Sequence, residues 1–250
     1  MPYIKKMKKS KTRIFVSLTI SANLIIYIKN KQHHFLKNVL RAKINDRINI
    51  FDGKTGEWEA CIASISRDNI VLRVIKNIYL LQKSSDVWLV FSPIKQHRMN
   101  LSIQKATELG VSKIIPCITE FTDNRNINIK SLQDNAVEAA EQSERLDLPQ
   151  IENLIDLPSL LSSWPQDRVL IFCDEKFDTE KKIIDLLIPL RSKLRKFGVL
   201  IGPEGGFSEL ERKTITEHKK VFPVSLGKRI LRSDTAIAVA LFCIQDLFSS

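Results

Sequence analysis

The chain is poor in the residue types that build disulfide scaffolds, metal sites and membrane spans. Its 250 residues include only four cysteines and eight glycines. The cysteines lie more than fifty residues apart, and no histidine stands at zinc-site spacing from any of them. We therefore predict four buried thiols and no bound metal. The longest apolar run, residues 236–244, has nine residues, whereas a membrane-spanning helix needs about 20, so we predict no membrane span.

Basic side chains are concentrated in the first third of the chain. Residues 1–83 carry 17 basic and 5 acidic side chains, whereas residues 84–250 carry 22 and 23. Such an asymmetry is the electrostatic footprint of nucleic-acid binders. A basic face that serves only solubility gives the same count, so the footprint needs support from the motifs.

The lysine-rich start of the chain invites comparison with a secretory signal. Basic residues between 5 and 13 precede the apolar residues 14–16, which is the order found in a signal peptide. Ser17, Thr19 and Ser21 then interrupt the apolar stretch at alternate positions, and alternation is typical of a half-buried strand. We therefore predict a cytoplasmic protein.

The hydrophobic pattern changes near residue 84 and predicts two domains, residues 1–83 and 84–250. Short alternating segments with Gly or Asn turns in the first part predict a small β-barrel or sandwich. Its strands are predicted at residues 13–17, 47–51, 57–65 and 70–75, with one amphipathic helix at 33–40. In the second part, strands that are apolar throughout alternate with helices, which predicts a parallel sheet covered on both faces. Those strands are predicted at 87–91, 114–118, 169–173, 197–201 and 221–224, and the helices at 101–109, 132–144, 180–194, 208–219 and 234–248.

Two strand ends in the second part carry candidate binding residues. Residues 199–208 read VLIGPEGGFS, so a strand runs into a glycine turn that opens a helix. Ser208 and Glu211 have the spacing of a capping box, which marks the helix start. Residues 225–236 read SLGKRILRSDTA and follow the next strand. Taken separately, each segment is also compatible with an ordinary tight turn before a helix.

Taken together and in order, these segments resemble the SPOUT methyltransferases, and specifically the RsmE family, which methylates N3 of a uridine in small-subunit ribosomal RNA. The resemblance extends over nearly the whole chain. Its pieces are HFLKNVLR (34–41), FDG (51–53), KATELGV (105–111), EQS with Arg145 (141–145), IGPEGG (201–206), and LG with RILR (226–232).

The resemblance implies an α/β fold of the SPOUT type, with a deep trefoil knot and a parallel sheet, preceded by a PUA-like RNA-binding β-barrel. It also implies a homodimer in which the last helix packs across the interface. The expected partner is 16S ribosomal RNA within the small ribosomal subunit, with no membrane and no metal. The cofactor implied is S-adenosyl-L-methionine, bound bent in the knot.

The site residues implied by the resemblance fall into three groups. The cofactor-binding group lies on three loops and comprises Phe172, Cys173, Ile201, Gly202, Glu204, Gly205, Gly206, Ser225, Leu226, Gly227, Arg229, Ile230 and Leu231. Arg232 is the candidate cation that stabilises the deprotonated uracil, and Asp234 either accepts the N3 proton or orients Arg232. Candidate phosphate contacts are Arg41, Lys43, Arg47, Lys54, Lys95, Arg98 and Arg145.

This chain departs from the family pattern at a few positions. Asp234 stands where Glu is usual, and Gln96 and Glu144 stand where glycine is common. Two other functions fit the same motifs less closely. One is a SPOUT methyltransferase acting on transfer RNA or on a ribose 2′-hydroxyl, and the other is a non-catalytic RNA-binding factor in ribosome assembly.

Overall fold

A computed structural model describes residues 12–175, 182–190 and 196–248 of the chain. The contacts divide it into two units. One contains the residues up to Lys83 together with Ala140–Asp147, and the other contains Ser84–Ala139 and the residues from Leu148 onward. The lysine cluster at residues 5–11, and residues 180–181 and 191–194 of the helix predicted at 180–194, lie outside the described residues.

The first unit is built on a five-stranded sheet, as the alternating pattern predicted. Its strands are β1 (Arg13–Phe15), β2 (Ile25–Ile28), β3 (Arg47–Phe51), β4 (Glu57–Ile65) and β5 (Ile70–Tyr79), in the order β1-β3-β4-β5-β2. β1 pairs with β3 in parallel and the other neighbours are antiparallel. The register between β4 and β5 shifts at three places, and bulges of this kind bend a sheet toward closure. Ile50, Ile62 and Leu72 form its fully buried centre.

The helix predicted at 33–40 differs from the observed one. Helix α1 (Asn30–His34) starts three residues earlier and continues as a π-helical turn, Phe35–Val39. The amide of Leu40 donates to Phe35 O at 3.0 Å, which is the i→i+5 bond of a π-helix. Only Leu36 is buried, whereas Phe35, Val39 and Leu40 are exposed. The prediction of one amphipathic helix over 33–40 is therefore wrong, because the wider turn removes these three apolar residues from a common 3.6-residue stripe.

Arg13 holds the first unit together from within. Its side chain is 8% exposed and its Nε donates to Glu57 Oε1 at 2.7 Å. The guanidinium also donates to the carbonyls of Ala140 (3.0 Å) and Arg145 (3.1 Å). Residues 140–143 end a helix, so a strand cation satisfies carbonyls that a helix end leaves without intrahelical partners.

The second unit contains a seven-stranded sheet in which every pairing is parallel, which confirms the predicted parallel sheet. Its strands are β6 (Val87–Phe91), β7 (Lys113–Ile118), β8 (Gln150–Ile151), β9 (Ile155–Asp156), β10 (Val169–Cys173), β11 (Phe197–Ile201) and β12 (Val221–Val224). The order is β12-β10-β11-β6-β7-β8, and β9 also pairs with β7. The helices are α2 (Gln96–Glu108), α3 (Ile129–Ser143), α4 (Leu157–Ser162), α5 (Ile183–Leu190), α6 (Glu209–Glu217) and α7 (Ser233–Phe248).

Both faces of this sheet are buried, as predicted from its continuously apolar strands. Alternate residues of one strand enter different clusters: Leu89 packs with Ile237 and Leu241 of α7, while Val90 packs with Leu160 of α4 and Ile215 of α6. A central strand is therefore apolar at every position because it has no solvent side.

The prediction of four buried thiols is confirmed for two of the cysteines. Cys117 and Cys173 are buried, but Cys61 and Cys243 are only partly so, because they lie at half-exposed positions of β4 and α7. Burial, with Asp156 and Glu211 nearby, raises the pKa of the Cys117 thiol to about 12.

Within the described residues, no helix is long and apolar enough to span a membrane, and no three His, Cys, Asp or Glu side chains are grouped as metal ligands.

Candidate functional site

A pocket opens at the carboxyl ends of β10, β11 and β12. Three segments line it: Cys173–Glu175 after β10, residues 201–203 with 206–207 after β11, and residues 224–231 after β12. Because β10 lies between β11 and β12 in the sheet, the ends of these parallel strands meet at one edge. Pockets in open α/β sheets form at this edge.

The glycine turn, residues 202–206, allows its backbone to run close to the pocket. A Cβ on Gly202 would lie 2.5 Å from the Phe207 ring, and Gly206 has a φ of +70°. Neither position accepts a side chain without strain. The turn is closed by a hydrogen bond from Gly206 N to Pro203 O at 3.0 Å. The predicted capping box is confirmed, since Ser208 and Glu211 exchange both hydrogen bonds at the start of α6.

The segment after β12 approaches the glycine turn from the other side. Gly227 N donates to Ser225 Oγ at 3.1 Å, which tightens the first bend. At its far end, Ser233 Oγ donates to Gly202 O at 2.9 Å. Leu226 and Leu231 pack partly against the sheet core, whereas Ile230 is 79% exposed at the pocket. The segment thus gives one apolar wall and one exposed apolar side chain.

The segment after β10 brings acidic groups to the pocket. Asp174 is buried and pairs with Arg212 of α6, and Glu175 lies beside it. Burial, with Cys243 nearby, raises the pKa of Cys173, so this thiol stays neutral and serves as a wall. Lys228 and Arg229 line the pocket from the segment after β12. Acidic and basic side chains therefore come from different segments.

Most of the predicted cofactor residues line this pocket. They are Cys173, Ile201, Gly202, Gly206, Ser225, Leu226, Gly227, Arg229, Ile230 and Leu231. The lining does not include Phe172, Glu204 or Gly205 among the described residues. Phe172 points to the opposite face of the sheet, where its ring packs edge-on against Phe207 at 5.0 Å, because successive strand residues alternate sides.

The pocket also contains lining residues that the sequence analysis did not single out. Glu175 and Val224 lie outside the two quoted segments, whereas the others lie inside them: Pro203, Phe207, Lys228, Ser233 and Ala236. Ser233 could have been singled out from the sequence, because a serine immediately before a predicted helix commonly caps it. Asp174, which follows the predicted Cys173, also lies in the pocket wall.

Arg232 and Asp234 are adjacent to the pocket but not among the described residues that line it. The Arg232 side chain is exposed. Asp234 Oδ1 accepts from Thr235 N at 2.8 Å, at the start of α7. Among the described ion pairs, none joins Arg232 to Asp234.

The predicted phosphate contacts differ in how accessible they are. In the first unit Arg41, Lys43, Arg47 and Lys54 are exposed, and Arg47 pairs with Glu59. Arg145 has a side chain only 7% exposed and donates to Asp147 Oδ1 at 2.7 Å. In the second unit Lys95 is exposed at the start of α2, and Arg98 pairs with Glu204 in the glycine turn. A phosphate contact by Arg145 or Arg98 requires its present ion pair to open.

Comparisons with known proteins match both units. The model of an RNA methyltransferase domain matches residues 82–245, and that of an RNA methyltransferase PUA domain matches residues 28–75. The ribosomal RNA small subunit methyltransferase E of Rickettsia conorii is 34% identical, over 92% of this chain and 93% of that protein. The protein of the same name from Buchnera aphidicola subsp. Schizaphis graminum is 30% identical, over 97% and 98%.

Solved structures show the same fold. A ribosomal RNA small subunit methyltransferase E from Neisseria gonorrhoeae, bound to S-adenosyl methionine, has a TM-score of 0.82 at 26% identity and covers 95% of this chain and 98% of its own. A Legionella pneumophila methyltransferase in complex with the same cofactor has a TM-score of 0.84 at 23% identity, with the same coverage. Because the domain match extends over most of the chain and close relatives align end to end, the chain belongs to the RNA methyltransferase family.

Proposed function

We propose that this protein transfers a methyl group from S-adenosyl-L-methionine to N3 of a uridine in 16S ribosomal RNA. The observation that carries the proposal is the pocket formed by the three strand-end segments, each of which contains predicted cofactor residues. The names of the relatives and the cofactor bound by the Neisseria neighbour support the same chemistry. The small ribosomal subunit, in the cytoplasm, is the proposed setting.

The pocket residues fit the proposed cofactor. The pocket combines apolar walls with a few polar side chains, as small-molecule sites usually do. Ile201, Leu226 and Leu231 offer apolar walls for an adenine ring, and the glycine turn presents backbone that a Cβ would block. Glu175 suits the ammonium group of the methionine tail, and Lys228 and Arg229 suit its carboxylate. When bound, the cofactor supplies an electrophilic methyl group.

Arg232 and Asp234 are proposed to act on the uracil. N3 lies between two carbonyls, and loss of its proton places negative charge on the ring and both oxygens. An exposed Arg232 guanidinium at the rim of the site stabilises that charge. Asp234 has one carboxylate oxygen engaged by Thr235 N, and its other oxygen accepts the proton or orients Arg232.

Arg232→Ala tests this assignment. We expect turnover to fall while cofactor affinity is retained, because the side chain acts on the uracil. An Arg232→Ala protein with full turnover contradicts the role. Asp234→Glu, which restores the usual family residue, is expected to keep turnover, whereas Asp234→Gln is expected to lose it.

The homodimer and the knot are proposed from the same helix. Ile237, Ala240, Leu241 and Ile244 bury one side of α7, yet Phe242 remains 59% exposed on the other. A second copy packed on that side explains why α7 lacks a polar face. α7 follows β12, at one edge of the sheet, yet packs on β11 and α2 further along it. This return path supports the proposal that the C-terminal segments form a trefoil knot.

The basic side chains are proposed to supply the binding energy for the RNA that the pocket itself does not provide. Exposing N3 of a stacked or paired uridine costs a few kcal/mol for base flipping, which phosphate contacts offset. We propose that Arg41, Lys43, Arg47 and Lys54 of the PUA-like unit make such contacts, with Lys95, and with Arg98 and Arg145 once their ion pairs open. A strong decrease of RNA affinity with salt is expected as a result.

Labelled methyl transfer from S-adenosylmethionine to small subunits that lack their own uridine methylation tests the function. N3-methyluridine in the nucleoside digest is the expected product. Label on a ribose, or on transfer RNA instead of small subunits, replaces the proposal with another methyltransferase activity. A protein that binds RNA but no cofactor is instead a non-catalytic assembly factor.

A further inference from the structure

An exposed phenylalanine lies against the glycine turn. Phe121 follows β7 and is 44% exposed. A Cβ built on Gly205 would lie 3.1 Å from Phe121 Cβ and 3.6 Å from its Cγ. The base of the aromatic side chain therefore packs on bare glycine backbone, and the rest of the ring is open to solvent. A phenylalanine ring that stays half-exposed next to a pocket lacks part of the hydrophobic stabilisation that a fully buried ring provides.

The segment that carries Phe121 is fixed by buried hydroxyl groups. Thr119 N donates to Thr122 Oγ1 at 2.8 Å, and the Thr119 hydroxyl lies 3.3 Å from that of Ser92. All three side chains are at least 95% buried. The exposure of Phe121 is thus a property of a well-held turn, which keeps the entropic cost of presenting the ring low.

One glutamate joins this turn to the pocket. Glu211 Oε1 accepts from Glu120 N at 2.8 Å, and its Oε2 accepts from Ser208 N at 3.0 Å. Ser208 begins the helix that follows the glycine turn. The same carboxylate therefore fixes the turn that carries Phe121 relative to the glycine turn in the pocket wall.

Two arginines are bonded to the segments that meet at the ring. Arg125 is exposed and its guanidinium donates to Glu120 O at 3.3 Å, within the same turn. Arg98 pairs with Glu204, the neighbour of Gly205 in sequence. An exposed aromatic ring with cations on the same segments is the arrangement that binds single-stranded nucleic acid, where bases stack on the ring and phosphates meet the charges.

We propose that Phe121 is a base-stacking residue that holds a base of the RNA substrate beside the pocket. This inference rests on the proposed function, because it assigns how the same site receives its RNA. The ring supplies a sequence-tolerant platform, and the turn that carries it determines where the stacked base lies relative to the glycine turn.

Kinetics of Phe121 variants test the proposal on small subunits lacking uridine methylation. Stacking is worth about 1–3 kcal/mol per base, so Phe121→Ala is expected to lower kcat/KM for subunits by about five- to 150-fold. The affinity for S-adenosylmethionine, measured by calorimetry, is expected to be unchanged. Phe121→Trp is expected to restore most of the activity, whereas Phe121→Leu, which still covers Gly205, is expected to stay low.

Phe222→Ala is the matched control, because Phe222 is a half-exposed aromatic of β12 that does not line the pocket. It is expected to behave like the unaltered protein. Full activity of Phe121→Leu overturns stacking. An equal loss of cofactor affinity in Phe121→Ala also overturns it, because Phe121 would then only support the glycine turn.

Binding of a fluorescent oligouridine to the cofactor-loaded protein separates this inference from the proposed function. Weaker binding in Phe121→Ala, but not in Phe222→Ala, supports stacking even where no label reaches small subunits. Equal binding by all three proteins overturns it, even where methyl transfer to small subunits is observed.

Discussion

The hydroxyl of Ser233 donates a hydrogen bond to the carbonyl of Gly202 across the mouth of the pocket, at 2.9 Å. Ser233 begins α7, and Gly202 follows β11 directly. The bond therefore joins two strand-end segments that are about thirty positions apart in the chain. It connects the geometry of the glycine turn to the position of the helix that carries Asp234.

Removing this bond is expected to weaken cofactor binding with little loss of fold. A net hydrogen bond is worth about 1 kcal/mol, so Ser233→Ala is expected to raise the Kd for S-adenosylmethionine about fivefold in calorimetry. Thr214→Ala, which removes an exposed hydroxyl bonded only within α6, is the control. An unchanged Kd in Ser233→Ala contradicts the role of the bond.

A side chain at Gly202 is expected to disrupt the core under the pocket. The Cβ of Gly202→Ala would lie 2.5 Å from the ring of Phe207, which is itself buried against Phe172. Overpacking of this kind costs about 1–3 kcal/mol, measured as a decrease in the free energy of unfolding. The double variant Gly202→Ala/Phe207→Leu is expected to recover part of the loss. If the single variant is as stable as the unaltered protein, the close packing is contradicted.

Asp52 is expected to make the first unit sensitive to acid. Burial tends to raise its pKa, but hydrogen bonds from the amides of Thr55, Ile20 and Lys54 and from the Thr55 hydroxyl lower it overall. The carboxylate therefore stabilises the fold above its unfolded pKa of about 3.9, and this contribution is lost as the pH falls through the lower folded pKa.

Replacing the Asp52 carboxylate tests whether its ionised form stabilises the fold. Asp52→Asn is expected to lower the free energy of unfolding at pH 7 by about 1.5–3 kcal/mol, because the hydrogen bonds to a charged acceptor are lost. The difference from the unaltered protein is expected to shrink at acid pH in chemical denaturation. Asp68→Asn, in an exposed turn of the same unit, is expected to change little. A constant difference at all pH values argues against the lowered pKa.

Glu144 is expected to be a position where glycine is more stable. Its φ is +61°, directly after α3 ends at Ser143. A left-handed residue with a side chain costs about 1–2 kcal/mol, and glycine is the usual residue at such a helix end. Glu144→Gly is expected to raise the free energy of unfolding by about 1 kcal/mol, whereas Glu144→Ala is expected to give no gain. A gain with alanine equal to that with glycine assigns the effect to the lost charge instead.

Much of the site could be predicted because its signals are local. The capping box at Ser208 and Glu211 depends on residues three apart, and the glycine turn depends on the space its own backbone leaves. The change in net charge near residue 83 is found by counting basic and acidic side chains. By contrast, the sequence does not show that the Phe172 ring packs against Phe207 on the far face of the sheet, because a strand that is apolar throughout gives no sign of which face meets a ligand.

The family, the parallel sheet and the segments that line the pocket could all be predicted, because apolar periodicity and short motifs are local features of the chain. The contacts between distant segments arise from the tertiary fold: Ser233 with Gly202, Arg98 with Glu204, and Phe121 with Gly205. These pairs depend on which strands become neighbours in the sheet. Strand order is set by the packing of helices on both faces, so residues far apart in sequence become partners only in the folded chain.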